Sequence, residues 1–289
     1  MHTTIKKKYL TNKDLLLEIH KSKNTFSSFV DPEYHQYDAI VSSVDDINES
    51  VIEQAKSAHA KRIGLKAFSN ARESGNRKVK LIDLIPSSDS IPVDNLVFRI
   101  MTFDHIPKVA GRKKTIRTIA DEHEKVNFPP FQHWKYNESN ELTCVGKSHW
   151  KGTVQEGYFC KEHGRITENL GQMFIKLAER YAQRSNWRGY TYVEEMIGQA
   201  ILQLSHFGLQ FDESRSENPF AYYTSTLTNS FTKVLNIERN IQNTRDDILE
   251  YNGLTPSLTR QNKNEFAAED ARQATLYKKI RTPKSEDST

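Results

Sequence analysis

The sequence predicts a mainly α protein, a helical bundle with an α+β module inserted into it. Three observations predict this. From Ile166 to about residue 254, apolar residues recur at spacings of three and four, as on the buried face of a helix. Between residues 96 and 165 that period gives way to short apolar and aromatic runs bounded by turn residues, which read as strands. An amphipathic stretch at the start, YLTNKDLLLEIHKSK (9–23), has the helical period again, before the character of the chain changes.

The elements follow in order. Thr11 or Asn12 is a natural N-cap for the first helix, and Leu15, Leu16 and Ile19 form its apolar face. This helix, within 1–23, is expected to pack on the C-terminal bundle. Residues 24–165 make up the inserted module. A helix is predicted over 46–68, with Ile47, Val51, Ala55 and Ala58 on one side. The charged, Ser-rich stretch 70–95, with Pro86 and Pro92, reads as a flexible linker. Leu96 to Met101 reads as a buried strand, and FPPFQHWKY (128–136) and ELTCVGKSHW (141–150) as short strands joined by turns.

The bundle itself is predicted over 166–254. Thr167 caps a helix whose face is Leu170, Phe174, Leu177 and Tyr181. The Asn186–Gly189 stretch ends it. Thr191 is expected to cap the next helix, 192–207, whose stripe is Val193, Met196, Ile197, Ala200, Ile201 and Leu204. After the loop LQFDESRSEN (209–218), Asn218 caps a helix with Pro219 at its first position, where the missing N–H costs nothing. A separate short helix, 244–251, is expected to stop at Asn252-Gly253. Residues 255–289 read as a polar tail.

Composition narrows the function. Mean hydropathy is −0.71, and the net charge of +4 permits a nucleic-acid surface without demanding one. Two cysteines are too few for a disulfide framework and fit a cytoplasmic setting. No run approaches the ~20 apolar residues of a membrane span, so no membrane is expected.

The helix ENPFAYYTSTLTNSFTKVLNIERN (217–240) carries the clearest chemistry. One face is core. Another exposes Tyr222, Ser225, Thr226 and Asn229, with Lys233, Arg239 and Arg245 beyond. Aromatics stack on unpaired bases at ~1–3 kcal/mol each, while hydroxyls and cations hold phosphates.

Residues 190–240 resemble region 2 of sigma-70-type transcription factors. Glu194-Glu195-Met196-Ile197, then Phe211-Asp212, then Asn218-Pro219-Phe220-Ala221-Tyr222-Tyr223 keep that family's order and spacing. The C-terminal third, and briefly the N-terminus, more closely resemble the late-transcription sigma factors of T4-like phages, cyanophages included. Those carry a motif like Arg215 to Thr224, a basic Asn-Ile-Glu stretch like Asn236 to Arg239, and an Arg-Asp-Asp helix like Arg245 to Asp247. The early YLTNKDLL (9–16) resembles the start of the same group.

The resemblance implies a phage-encoded sigma factor, not an enzyme, acting in the host cytoplasm and needing no cofactor. It would bind bacterial core RNA polymerase at the β′ clamp helices through the 192–207 helix, whose polar positions Glu195, Gln199 and Gln203 are free for a partner. It would recognise and melt the upstream element of late promoter DNA through the 219–240 helix. By motif position Phe220 and Tyr223 correspond to base-stacking aromatics, although the helical period puts both on the apolar side. The family's paired tryptophans fall here on Thr226 and Leu227.

The chain departs from the family in other places too. After Gly253 the remaining chain is too short and polar for a helix-turn-helix. A sliding clamp or late co-activator is a further partner the resemblance raises. The end TPKSEDST nevertheless has no apolar cluster for a clamp, and Leu276-Tyr277 is the only candidate. Residues 24–165 have no counterpart in the short members.

Two rival readings exist. Cys144, His149, Cys160 and His163 are candidates for a zinc site, which would suit a metal-dependent nucleic-acid enzyme. A polymerase-binding accessory protein without DNA contact is the other. No Gly-rich phosphate loop or Gly-x-Ser-x-Gly occurs.

Overall fold

A computed structural model describes residues 10–76, 79–109 and 118–281. The fold is mainly α with one small mixed sheet and a two-stranded ribbon. The elements are α1 (Asn12–Asn24), β1 (Ser27–Phe29), β2 (Ala39–Val41), α2 (Glu49–Glu73), β3 (Val97–Met101), β4 (Phe131–Tyr136), β5 (Leu142–Ser148), β6 (Trp150–Lys151), β7 (Tyr158–Phe159), α3 (Glu168–Ala182), α4 (Val193–Phe207), α5 (Pro219–Tyr251) and α6 (Leu258–Arg281), with short 3-10 turns between some of them. The strand order is β1-β5-β4-β3-β2, antiparallel except for β2 beside β3. A parallel pair needs a crossover, and α2 supplies it.

The sheet has two buried faces. Phe98 and Tyr136 point to α2, in a cluster with Ala55, Ala60, Ile91 and Leu96. Met101 and Phe131 point the other way and join the core of the bundle, where α1, α3, α4 and the first half of α5 pack through Leu15, Ile19, Leu170, Phe174, Met196, Ala200, Tyr223 and Phe231. Phe26 and Phe128 belong to the same core. The chain leaves the bundle and returns at one place. The Arg165 N–H donates to Thr25 Oγ1 and the Thr25 hydroxyl donates to the Arg165 carbonyl, both at 2.9 Å.

The caps at Thr11, Thr167 and Asn218 form as the sequence predicts, each side chain accepting a backbone N–H of its helix. Four expectations are corrected. Tyr192, not Thr191, is the N-cap of α4, and its side chain makes no capping bond. The stretch 70–95 is not a bare linker: α2 runs to Glu73, three 3-10 turns follow, and Ile91 is buried against α2. The helices expected at 219–240 and 244–251 are one helix. Thr244 does not cap, because its hydroxyl donates to the Asn240 carbonyl one turn back, and no Gly or Pro interrupts the ladder before Gly253.

The fourth correction concerns the tail, which folds as α6. Ser257 begins it, donating its N–H and its hydroxyl to the buried Asp246 carboxylate at 2.9 and 2.6 Å. Arg260 then pairs with Asp247 at 2.6 Å and Glu250 at 3.3 Å. Ion pairs rather than an apolar stripe hold α6, so hydropathy did not reveal it. Leu276 and Tyr277 are exposed on α6, and the TPKSEDST end lies outside the described residues. Among the described residues no helix is long and apolar enough to cross a membrane.

Candidate nucleic-acid groove

Where α4 crosses α5, a groove of about 350 Å³ opens between them, lined by Gln203, Phe207, Tyr222, Thr226, Asn229, Ser230 and Lys233. Helical spacing explains the set on α5. Positions 222, 226, 229 and 233 follow one another at four, three and four residues, so they share one face. Gln203 and Phe207 are one turn apart on α4.

The residues differ in what they offer. Tyr222 forms a half-buried wall. Its hydroxyl donates to the Phe207 carbonyl at 2.8 Å, and its ring lies 5.8 Å from that of Phe211. Burial pushes the Tyr222 phenol up, so it stays neutral. The amides of Gln203 and Asn229 have no hydrogen-bond partner among the described residues, and Lys233 has no ion pair there. Those three side chains can therefore donate to a ligand without breaking an internal bond. Thr226 cannot do so at no cost: its hydroxyl already donates to the Tyr222 carbonyl at 3.2 Å. Ser225 and Ser230 are tied back in the same way.

Several predicted site residues fall elsewhere. Tyr223 is fully buried, its hydroxyl donating to the Gly208 carbonyl at 3.0 Å and its ring against Phe174. It is core, and no base can stack on it. Phe220 is partly buried at the α1 side, with its backbone N–H donating to Asn12 Oδ1 at 3.3 Å. It does not line the groove. Lys233, Arg239 and Arg245 are exposed, but six-residue steps on one continuous helix turn them about 120° apart, so they face three ways. Only Lys233 reaches the groove.

Gln203, expected on the polymerase face, lines the groove. Glu195 is exposed and Gln199 half-buried on the outer face of α4, in line with the exposed Leu202 and His206. Sequence reasoning missed Phe207 and Leu202. Phe207 lies four residues after Gln203 and Leu202 two before the last core position, Leu204, and neither spacing carried enough contrast to single the residue out.

The four metal candidates do not converge: no group of three or more His, Cys, Asp or Glu able to hold a metal forms among the described residues. Cys144 lies opposite Trp134 in the sheet. His149 is fully buried, 4.0 Å from the Phe128 ring, and burial lowers its pKa to about 3. His163 contacts the Cys160 carbonyl.

Joined to the groove wall through Phe211 is a buried charged cluster that no motif announced. The Lys23 ammonium donates to the Phe211 carbonyl at 2.7 Å and to Glu213 Oε1 at 2.9 Å. His20 Nε2 is 3.3 Å from the same oxygen, and Arg99 from β3 lies 3.5 Å from Glu213 Oε2. The Arg99 guanidinium is stacked between Tyr37 and Phe131 at 3.9 and 3.8 Å, and its Nε–H donates to His133 Nε2 at 2.9 Å. His133 Nδ1 donates to the Tyr34 carbonyl at 2.6 Å, so this imidazole is neutral, as the lowering of its pKa by burial also requires. Burial alone would raise the Glu213 carboxyl. Lys23, the His20 contact and Arg99 together overcome it and hold the group far below the usual carboxylate range.

A comparison of the chain with family models, curated proteins and solved structures returns no match.

Proposed function

We propose that this protein is a sigma-type factor that directs bacterial core RNA polymerase to late promoters, with the α4–α5 groove holding an unpaired base of the melted strand. The observation that carries the reading is the groove's composition. An aromatic wall meets two amides and one cation that have no partner among the described residues, in about 350 Å³, which is the chemistry of stacking, base-edge contact and phosphate contact respectively. The sequence resemblance of residues 190–240 supports the same reading. The outer face of α4, with Glu195, Gln199 and Leu202, is the docking face for the β′ clamp helices in this proposal.

The test separates the two surfaces. Tyr222→Ala should leave polymerase binding intact and abolish promoter opening in permanganate footprints, with a pre-melted template restoring much of the activity. Normal opening by this variant would sink the stacking role. Glu195→Lys with Leu202→Ala should weaken core polymerase binding in a pull-down. A protein that binds polymerase but never crosslinks to promoter DNA through position 222 would instead be an accessory factor.

A further inference from the structure

We propose that Glu213 is a positioning residue through which the sheet module sets the geometry of the groove, so that residues 24–165 are a working brace of the α4–α5 site. This rests on the reading of that groove as a nucleic-acid site.

The contacts run in one direction without a gap. Arg99 stands on β3, inside the module, and is fully buried. Its guanidinium is held flat by two rings and reaches Glu213, on the loop that connects α4 to α5. Lys23, at the end of α1, takes the other Glu213 oxygen and also the carbonyl of Phe211. Phe211 is buried, and its ring packs on Tyr222, the wall of the groove. A strand, a helix and a loop thus meet at one carboxylate two residues from Phe211.

The charge balance makes Glu213 the keystone. With His20 and His133 lowered by burial, Lys23 and Arg99 bring two positive charges into the interior, and among the described residues Glu213 is the carboxylate that pairs with both. The two terminal Arg99 nitrogens and Glu213 Oε2 lack a hydrogen-bond partner among the described residues, so the 3.5 Å ion pair, the ring stacking and the Nε–H bond to His133 are what hold the guanidinium. Removing Glu213 leaves Lys23 and Arg99 uncompensated, which favours reopening of the loop to water, whereas removing Arg99 leaves the Lys23–Glu213 pair balanced but takes away the tie between β3 and the loop. The 211–217 loop would then lose its fixed relation to α1 and β3, and Tyr222 its backing.

The experiment uses the full chain and compares Glu213→Gln, Arg99→Met and wild type below their melting transitions. Hydrogen exchange is the first readout. At least a tenfold faster exchange over 211–224 is expected in both variants, with α3 amides within twofold of wild type. Unchanged exchange over 211–224 in Glu213→Gln overturns the proposal, whatever the DNA result. The second readout is binding of a 2-aminopurine-labelled single strand at low salt, with core polymerase binding as control. Both variants should weaken the strand at least tenfold and leave polymerase binding unchanged, although Arg99 and Glu213 do not line the groove. If Glu213→Gln loosens the loop but binds the strand as wild type does, the positioning role is overturned. If wild type itself binds no strand with or without polymerase, the groove reading falls, while exchange still decides whether the module braces the loop. Should Glu213→Gln fail to fold, Arg99→Met carries the same two readouts.

Discussion

Tyr222 and Tyr223 are adjacent in the chain and about 100° apart around α5, and that rotation separates a groove wall from a core residue. Tyr223 fills space against Phe174 and satisfies the Gly208 carbonyl. Tyr223→Ala should therefore cost about 3–5 kcal/mol, as for other large buried aromatics, while Tyr223→Phe loses only the hydrogen bond, about 1 kcal/mol. Urea unfolding checks both, and a Tyr223→Ala variant as stable as wild type would show that the residue is not core. His149 gives a pH test. Burial lowers it to about 3 and the neighbouring-face His105 to about 4. Both are neutral when folded and bind a proton near pH 6.5 when unfolded, so the unfolded chain binds more protons below that pH. Stability should be fully present above pH 6.5 and fall as the pH drops from there toward 3. His149→Phe should flatten this fall in melting curves recorded between pH 7 and 4.

At the scale of the elements, α4 and α5 each serve two surfaces. Gln203 faces the groove, whereas Glu195 and Leu202 face outward on α4. Gln203→Ala should weaken single-strand binding and spare polymerase binding, the reverse of Glu195→Lys with Leu202→Ala. Lys233→Ala should lower the salt dependence of strand binding by about 0.7 in log–log slope, the value for one phosphate contact. Arg239→Ala and Arg245→Ala should leave that slope unchanged, since the continuous helix points them away. The α5–α6 junction depends on Asp246, whose carboxyl is held below its ordinary 3.8 first by the Ser257 hydroxyl and then by the Ser257 N–H. A depressed carboxyl contributes stability above its unfolded pKa that is lost as the pH falls through the lower folded one. Asp246→Ala should unravel the start of α6, seen as lost helical circular dichroism, with the bundle's melting midpoint little changed. The sequence made the caps of α1, α3 and α5 legible, because Thr11, Thr167 and Asn218 act on their own next turn. It did not make α6 legible, because Ser257 and Arg260 act on partners in α5.

At the scale of the molecule, the module and the bundle share a core. Phe26, Phe128 and Phe131 pack with the bundle helices, and the entry and exit strands of the module touch at Thr25 and Arg165. Closure of the chain across residues 26–164 is therefore geometrically short, yet it removes three buried rings and Arg99 together. The deleted protein should show a much lower melting midpoint and increased binding of a hydrophobic dye. A deletion variant as stable as the full chain would show that the shared core contributes nothing.

The sequence by itself determined what local rules decide. These are the mainly α character, the stripes of α3, α4 and α5 at helical spacing, the runs that become β3, β4 and β5, and the placing of Tyr222, Asn229 and Lys233 on one helical face. Each depends on residues within a turn or two of one another, where periodicity and capping act. The tertiary structure decided the rest. It set Gln203 and Phe207 of α4 opposite that face, buried Tyr223, gathered no three of the metal candidates into one group among the described residues, and brought Lys23 and Arg99 to Glu213 across 190 and 114 residues of chain. Contacts at such separations leave no periodic mark, because they arise only when already formed elements pack and a buried charge must find its opposite.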